Sequence, residues 1–105
     1  MKHLCICAYG HSRSVALTRV LHARGHEAVA VGHLTSPDAL RALSAWADKI
    51  LTLETSFLWF VPEHFRMKIV DFHVGPDRWS NPYHPELYQL LGGMVEKRLG
   101  YKEVL

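Results

Sequence analysis

The sequence predicts an α/β fold in which a parallel β-sheet carries helices on both of its faces. Short apolar runs, typical of buried strands, alternate along the chain with segments of helical periodicity. The resulting order, β-α-β-α-β-(α)-β-α, requires right-handed crossovers, and these place helices on both sides of a parallel sheet. The chain has 105 residues. We expect a single domain over residues 1–105, because two separate cores would each be too small.

Four apolar runs are predicted to be strands, since each is short, aliphatic and bounded by turn-forming residues. They are residues 3–7, 27–31, 49–53 and 68–72. The first run contains both cysteines of the chain, Cys5 and Cys7. We expect their side chains on opposite faces of the strand, poorly placed for a disulfide.

The first two predicted helices have clear boundary signals. The first covers residues 14–24 and ends at Gly25, which can adopt the left-handed conformation without steric cost. The second begins at Ser36-Pro37-Asp38, where a capping side chain, a proline and an acidic residue coincide. A further short helical piece is expected within residues 55–65, interrupted by Pro62.

The last predicted helix begins at His84-Pro85-Glu86 and ends at Gly100. Helical spacing predicts an inward face formed by Leu87, Leu90, Leu91, Met94 and Val95. The pair Gly92-Gly93 weakens this helix locally, and we expect it to allow close packing against the sheet.

Composition excludes several classes of protein. Apolar residues make up 49% of the chain and charged residues 21%, with a net charge of +2. These values disfavour intrinsic disorder, and the scattered basic residues give no nucleic-acid footprint. The first apolar run is too short for a signal peptide or a membrane span. Without a disulfide framework we expect a cytoplasmic protein with no membrane or nucleic-acid partner; the sequence leaves its oligomeric state open.

The loop after the first strand carries the chemistry. Ligands of such sheets bind beyond the carboxyl ends of the strands, and residues 7–14 there read Cys-Ala-Tyr-Gly-His-Ser-Arg-Ser before a helix. Loop and helix N–H groups can converge on a phosphate, and the planar fork of Arg13 can hold two phosphoryl oxygens. The helix end and Arg13 favour the thiolate form of Cys7, the predicted nucleophile. Ser14 can donate a hydrogen bond to the sulfur.

Further residues are predicted to surround a bound phosphate monoester. Gly10 permits the backbone turn that directs N–H groups inward, and His11 can add positive charge. The rings of Tyr9 and Trp79 can stack on an aromatic leaving group. The predicted phosphate- and substrate-binding residues are Ala8, Tyr9, Gly10, His11, Ser12, Arg13 and Trp79. Neither a metal site nor a cofactor is expected, because no ligand spacing stands out among the eight histidines.

Residues 7–14 resemble the CX5R(S/T) loop of the low-molecular-weight protein tyrosine phosphatases. The segments TSPDA, AWADKILTLE and HPELYQLL resemble later parts of short bacterial members of that family. The resemblance implies a four-stranded parallel sheet in the order 2-1-3-4, a cysteinyl-phosphate intermediate and no metal. The chain departs from the family pattern at Gly10, Ser12 and Val15, where asparagine, cysteine and proline are common.

The resemblance also requires a general acid in the loop after the fourth strand. Asp77 is the preferred candidate, because Pro76-Asp77 lies just beyond that strand. An alternative alignment places Asn81 at the acid position, where an amide cannot supply a proton. Asp71, within the strand itself, is a third candidate, expected to point elsewhere.

Two hypotheses for function follow. The first is a cysteine-dependent phosphatase acting on phosphotyrosine, in a phosphorylated protein, or on another small phosphomonoester. The alternative is a weak or inactive phosphate-binding or interaction module on the same scaffold. Arsenate reduction is disfavoured, because no cysteine follows Cys7.

Overall fold

A computed structural model of the chain describes residues 1–7, 12–32, 34–54, 59–74, 78–79 and 81–103. This part of the chain contains a four-stranded sheet, three α-helices and a 3₁₀ helix that precedes the last strand. The strands are β1 (Lys2–Cys7), β2 (Glu27–Gly32), β3 (Lys49–Thr52) and β4 (Ile69–Asp71). The α-helices are α1 (Arg13–Ala23), α2 (Pro37–Trp46) and α3 (Pro85–Leu99), and the 3₁₀ helix spans Glu63–Lys68.

All strand pairs are parallel, and the strand order is β2-β1-β3-β4. Both the predicted parallel sheet and the order implied by the resemblance are therefore confirmed. The register aligns Ile6 with Thr52, and Thr52 with Asp71. The carboxyl ends of β1, β3 and β4 consequently meet at one edge of the sheet, where the predicted site lies.

The two faces of the sheet bury separate apolar clusters. Cys5 and Cys7 belong to the cluster formed with α1 and α3, whereas Leu4 and Ile6 belong to the one formed with α2. The expectation that the two cysteines point to opposite faces is wrong, because side chains two residues apart on a strand share a face. Neither cysteine forms a disulfide.

The boundaries predicted for the three α-helices agree with the structure to within one residue. Ser36 Oγ accepts a hydrogen bond from Ala39 N at 3.2 Å and caps α2. At the end of α3, Gly100 has a left-handed φ of 75°. The prediction that Leu90 belongs to the inward face of α3 is wrong, since Leu90 is 38% exposed while Leu87 and Leu91 are fully buried.

Gly92 allows close packing, but against a helix side chain rather than against the sheet. A Cβ atom there would lie 3.2 Å from Nη2 of Arg24, at the end of α1. Gly93 has no neighbour within 4 Å of such an atom. The pair therefore lets α3 approach α1 through one of its two glycines.

The segment before β4 differs from the sequence prediction. Residues 55–58 lie outside the described residues, and the helix that follows Pro62 is the 3₁₀ helix, which extends to Lys68. Lys68 therefore precedes β4 instead of beginning it. Its Nζ donates to the backbone oxygens of Ser44 at 2.9 Å and Ala47 at 2.7 Å. The side chain thereby satisfies carbonyl groups that the end of α2 leaves without intrahelical partners.

Candidate active site

The candidate site lies at the edge of the sheet where β1 ends and α1 begins. Leu53 N donates to Ile6 O at 3.0 Å, so the chain after β3 continues beside β1 for one further residue. Cys7, the last residue of β1, and Glu54, two residues after β3, are thus carried to the same edge. The first turn of α1 supplies Arg13 and Ser14.

The thiol of Cys7 contacts the hydroxyl of Ser14. The Sγ–Oγ distance is 3.0 Å, and both residues are buried. Ser14 is fixed by the first turn of α1, and its carbonyl oxygen accepts a hydrogen bond from Thr18 Oγ1 at 2.8 Å. A hydroxyl held in this position can donate to a thiolate, which is the role predicted for Ser14.

Arg13 is a buried cation with a carboxylate partner. Its side chain is 2% exposed, and Nη1 donates to Oε1 of Glu54, whose side chain is 27% exposed. A guanidinium group carries five N–H donors in a planar fork, and the bond to Glu54 uses one of them. Glu54 orients this fork at the edge of the sheet.

The N-terminus of α1 adds to the positive character of the site. The first turn of the helix contains no acidic residue, and the side chain of Ser12 makes no capping hydrogen bond there. Backbone N–H groups in a first turn have no intrahelical acceptors, and the helix dipole places partial positive charge on them. Together with Arg13, this helix end favours an anionic ligand beside it.

The second cysteine has a different environment. Cys5 is fully buried, two residues before Cys7 on the same face. Burial raises the pKa of its thiol to about 12, and the charge of Cys7 acts in the same direction. A hydrogen bond with Thr18 opposes the shift without cancelling it. Cys5 is therefore a neutral core residue, and it provides a matched control for the chemistry of Cys7.

Several predicted site residues lie outside the described part of the chain. They are Ala8, Tyr9, Gly10, His11 and Asp77. Trp79 is described and 8% exposed, and it packs in the core cluster that contains Cys7. The guanidinium of Arg78 lies 4.8 Å from the centre of its ring.

The two alternatives to Asp77 at the position of the general acid, Asp71 and Asn81, are both described. Asp71 Oδ1 accepts hydrogen bonds from Thr52 Oγ1 and His73 N, each at 3.1 Å. Because Asp71 is aligned with Thr52 and Ile6, it shares their face of the sheet, the one opposite to Cys7. Asn81 is exposed, and its Oδ1 accepts from Tyr83 N at 2.9 Å, which closes a turn before α3.

Sequence reasoning missed the role of Glu54. The residue stands within the AWADKILTLE segment, but its partner Arg13 is 41 positions away. The signal that could have identified it is a carboxylate immediately after a strand that neighbours β1 in the expected order. Such a residue must lie at the same edge of the sheet as the carboxyl end of β1.

Among the described residues, no group of three histidine, cysteine, aspartate or glutamate side chains is arranged to hold a metal ion. In the same residues, no helix combines the length and the apolarity needed to cross a bilayer.

Comparisons with solved structures identify proteins of the same fold. Wzb of Vibrio vulnificus, solved in complex with benzylphosphonate, has a TM-score of 0.69 at 20% identity, over 91% of this chain and 94% of that one. A YwlE mutant from Bacillus subtilis has a TM-score of 0.67 at 16% identity, over 95% and 99% of the two chains. The tyrosine phosphatase AmsI of Erwinia amylovora has a TM-score of 0.69 at 14% identity, over 94% and 91%. No family model and no curated sequence matches the chain.

These similarities define the fold of the chain as that of the low-molecular-weight protein tyrosine phosphatases. The structural resemblance stated from the sequence is thus confirmed across most of the chain. The similar proteins include tyrosine phosphatases and, in YwlE, an arginine phosphatase solved with a phosphorylated active-site serine.

Proposed function

We propose that the chain is a cysteine-dependent phosphomonoesterase of the protein tyrosine phosphatase type, with Cys7 as nucleophile and Arg13 as the phosphoryl-binding residue. One observation carries the proposal. The Cys7 thiol contacts the Ser14 hydroxyl at 3.0 Å and lies at the same sheet edge as the buried Arg13. β1 and α1 thus bring the Cys7 thiol, the Ser14 hydroxyl and the Arg13 guanidinium to one edge of the sheet, on a fold that known phosphatases share, and this supports their proposed roles.

In the first step the Cys7 thiolate attacks phosphorus, and the bond between phosphorus and the ester oxygen breaks. Arg13 and the N–H groups at the start of α1 bind the remaining phosphoryl oxygens, whose charge they neutralise. Asp77 donates a proton to the departing oxygen. The products are a cysteinyl phosphate on Cys7 and a free alcohol or phenol.

In the second step water attacks the phosphorus of the cysteinyl phosphate. The Asp77 carboxylate accepts a proton from that water and returns to its acid form, and inorganic phosphate is released. The sulfur leaves as a thiolate, which the hydrogen bond from Ser14 stabilises. This sequence needs no metal, cofactor, oxidant or reductant.

The proposed substrates are phosphotyrosine in a protein and other small phosphomonoesters. Tyr9, His11 and Trp79 are the proposed substrate contacts beyond the phosphoryl group. The proposed compartment is the cytoplasm, where the unpaired thiols of Cys5 and Cys7 would remain reduced.

The first experiment measures hydrolysis of an aryl phosphate by the wild type, Cys7→Ser and the matched control Cys5→Ala. The wild type should release a burst of phenol equal to the enzyme concentration. Cys7→Ser should lose both the burst and turnover, whereas folded Cys5→Ala should retain them. Equal turnover by the wild type and Cys7→Ser would refute the nucleophile.

A second experiment separates the acid candidates. Asp77→Asn should lower kcat/KM by about 100-fold or more, because general acid catalysis contributes about 10²–10⁴-fold, while Asp71→Asn should leave kcat/KM close to that of the wild type. If Asn81 occupies the acid position instead, Asn81→Asp should raise kcat/KM and Asp77→Asn should have little effect.

The alternative function is a phosphate-binding module without a working acid. It predicts that inorganic phosphate raises the Tm of the wild type although no aryl phosphate is turned over. Arg13→Met should then abolish the increase in Tm. Wild-type turnover with a burst excludes this alternative.

A further inference from the structure

A cluster of three rings lies at the amino-terminal end of the sheet, opposite to the candidate active site. His3 belongs to β1, His26 precedes β2, and Tyr101 follows the left-handed Gly100 that ends α3. The rings of His26 and Tyr101 stack with their centres 3.9 Å apart. The ring of His3 is nearly perpendicular to both, at 5.5 Å from that of His26 and 5.4 Å from that of Tyr101. The cluster thus joins the chain after α3 to the first residues of β1 and β2.

The hydrogen bonds of the cluster determine which nitrogen of His3 carries the proton. A carbonyl oxygen only accepts, so Nδ1 of His3, 3.0 Å from Glu27 O, is the nitrogen that donates. Nε2 of the neutral ring is then an acceptor, and the Tyr101 hydroxyl donates to it across 3.0 Å. A second proton, on Nε2, would turn this hydroxyl toward Sδ of Met1 at 3.1 Å and leave a charge on a fully buried ring. The neutral form of His3 is therefore the one that fits the closed cluster.

Positive charges face both histidines. Nδ1 of His26 lies 3.4 Å from the ammonium group of Met1, which only donates, so this nitrogen is unprotonated in the closed cluster. Nζ of Lys49, in β3, lies 5.8 Å from the centre of the Tyr101 ring. Burial lowers the pKa of each histidine, and the charges of Met1 and Lys49 lower it further. Protonation of one ring also opposes protonation of the other, because their centres are only 5.5 Å apart.

The acidic side chain that faces these groups is Asp48, which precedes β3. Its Oδ2 accepts a hydrogen bond from Lys2 N at 2.8 Å, and this bond lowers the pKa of Asp48, as do the charges of Lys2, Met1 and His3. The carboxylate therefore stays ionised while the histidines titrate. Because it already faces the charges of Lys2 and Met1, it does not offset two further charges on His3 and His26.

From this arrangement we infer that His3, His26 and Tyr101 form a proton-operated latch, which holds the Tyr101 side chain on the end of the sheet when both histidines are neutral and releases it when they are protonated. Release uncovers both imidazoles and admits water to them. The backbone of Tyr101 is held separately, because Arg24 Nη1 donates to Tyr101 O at 2.5 Å and a guanidinium does not titrate in this range. The movement is therefore local to Tyr101 and the residues beyond it.

The direction of the pH dependence follows from the lowered pKa values. The closed state is most stable above the ordinary histidine pKa of 6.5, and it loses stability as the pH falls through that value. Each proton taken up on opening raises the ratio of open to closed molecules by up to about 10-fold per pH unit. Coupling to both histidines gives up to about 100-fold per pH unit.

The test follows the ring protons of Tyr101 by NMR between about pH 8 and pH 4.5. Stacking on His26 shifts these resonances from those of a free tyrosine, so their position reports the closed fraction, and Tyr101→Phe identifies them. In the wild type we expect the open-to-closed ratio to rise by more than about 10-fold per pH unit below pH 6.5. His26→Phe keeps a stacked ring that cannot be protonated, and its ratio should rise by no more than about 10-fold per pH unit.

The control variant is His22→Gln. His22 is an exposed histidine of α1 whose Nε2 bonds Ala28 O at 3.1 Å, and its removal should leave the titration of Tyr101 unchanged. In the same samples, the methyl resonances of the fully buried Leu17 and Leu87 report global unfolding.

The wild-type titration decides the inference even if a variant does not fold. Tyr101 resonances that stay unchanged until the protein unfolds, or that change only together with Leu17 and Leu87, would overturn the latch. An unaltered pH dependence in His26→Phe, or an equal reduction in His22→Gln, would also overturn it. Release of Tyr101 in a folded protein, with a weaker pH dependence in His26→Phe alone, is the result that supports it.

Discussion

From the ion pair between Arg13 and Glu54 we predict that the stability of the fold and the binding of phosphate are linked. Glu54→Gln keeps the size of the side chain and its acceptor oxygen but removes the negative charge. Because Arg13 is only 2% exposed, its buried guanidinium would lose the negative charge of Glu54. We expect the variant to be less stable than the wild type, and inorganic phosphate to restore part of the loss.

The magnitude follows from the exposure of the two partners. Breaking a fully buried pair costs about 3–5 kcal/mol, and breaking an exposed pair about 0–1 kcal/mol. Glu54 is 27% exposed and glutamine still accepts a hydrogen bond, so the expected loss is about 2 kcal/mol. For a domain of this size, that corresponds to a decrease in Tm of about 10 °C.

Phosphate should act differently on the two proteins. A ligand present at 100 times its Kd stabilises the folded state by about 2.7 kcal/mol. In Glu54→Gln the phosphate supplies the negative charge that Arg13 has lost, and it no longer meets the repulsion of the Glu54 carboxylate. Phosphate should therefore bind the variant more tightly than the wild type and raise its Tm by more.

The assay is urea unfolding of both proteins, with and without phosphate at constant ionic strength. Arg41→Gln is the control, because it removes the exposed pair between Arg41 and Asp38 and should cost less than about 0.5 kcal/mol. A loss below about 0.5 kcal/mol in Glu54→Gln would refute the importance of the buried pair. Equal stabilisation of both proteins by phosphate would refute the placement of the anion beside Arg13.

Three further predictions concern stability elsewhere in the fold. Burial lowers the pKa of His3 from 6.5, with the neighbouring charges of His26, the N-terminus and Lys49 acting in the same direction, while its bond to the Glu27 carbonyl opposes the shift. The folded state thus disfavours protonation of His3, so the free energy of unfolding should fall as the pH drops through about 6.5. Thermal melts at about pH 5 and 7.5 should show a smaller pH dependence for His3→Gln than for the wild type. Lys68→Met removes the donor to the last carbonyl groups of α2 and should lower the free energy of unfolding in urea by about 2 kcal/mol. An unchanged midpoint would show instead that water replaces the ammonium group. Gly93→Ala should stabilise α3 by about 1 kcal/mol, because a Cβ atom there meets nothing within 4 Å. Gly92→Ala should stabilise the helix less, since its Cβ atom would lie 3.2 Å from a guanidinium nitrogen. Equal stabilisation by the two substitutions would contradict this account.

The order of strands and helices could be predicted because each element carries local signals. Ser36 before Pro37 and Gly100 after the last helix mark boundaries that depend on a few neighbouring residues. The edge of the sheet at which Cys7 and Arg13 lie could be predicted as well, since ligands of a parallel sheet of this type bind at the carboxyl ends of its strands. These inferences need no knowledge of which side chains meet across the fold.

Errors arose where the answer depends on tertiary contacts. Leu87, Leu91 and Val95 lie four residues apart and are fully buried, but Leu90 lies beyond the strip of α3 that its neighbours cover. The role of Glu54 requires knowledge that the chain after β3 runs beside β1. Periodicity along one segment contains neither piece of information.

The structure also explains why the two functional hypotheses are hard to separate by sequence. Cys7, Ser14 and Arg13 are held by β1, α1 and the buried contact to Glu54, so the residues proposed to bind the phosphoryl group belong to the core of the fold. The proposed general acid, Asp77, instead belongs to the sequence that follows β4. An amide at the acid position cannot supply a proton, yet it removes none of the contacts among Cys7, Ser14, Arg13 and Glu54. The proposed enzyme would therefore retain phosphate binding after losing catalysis, and a burst of phenol from an aryl phosphate, as opposed to a rise in Tm with phosphate alone, decides between enzyme and binding module.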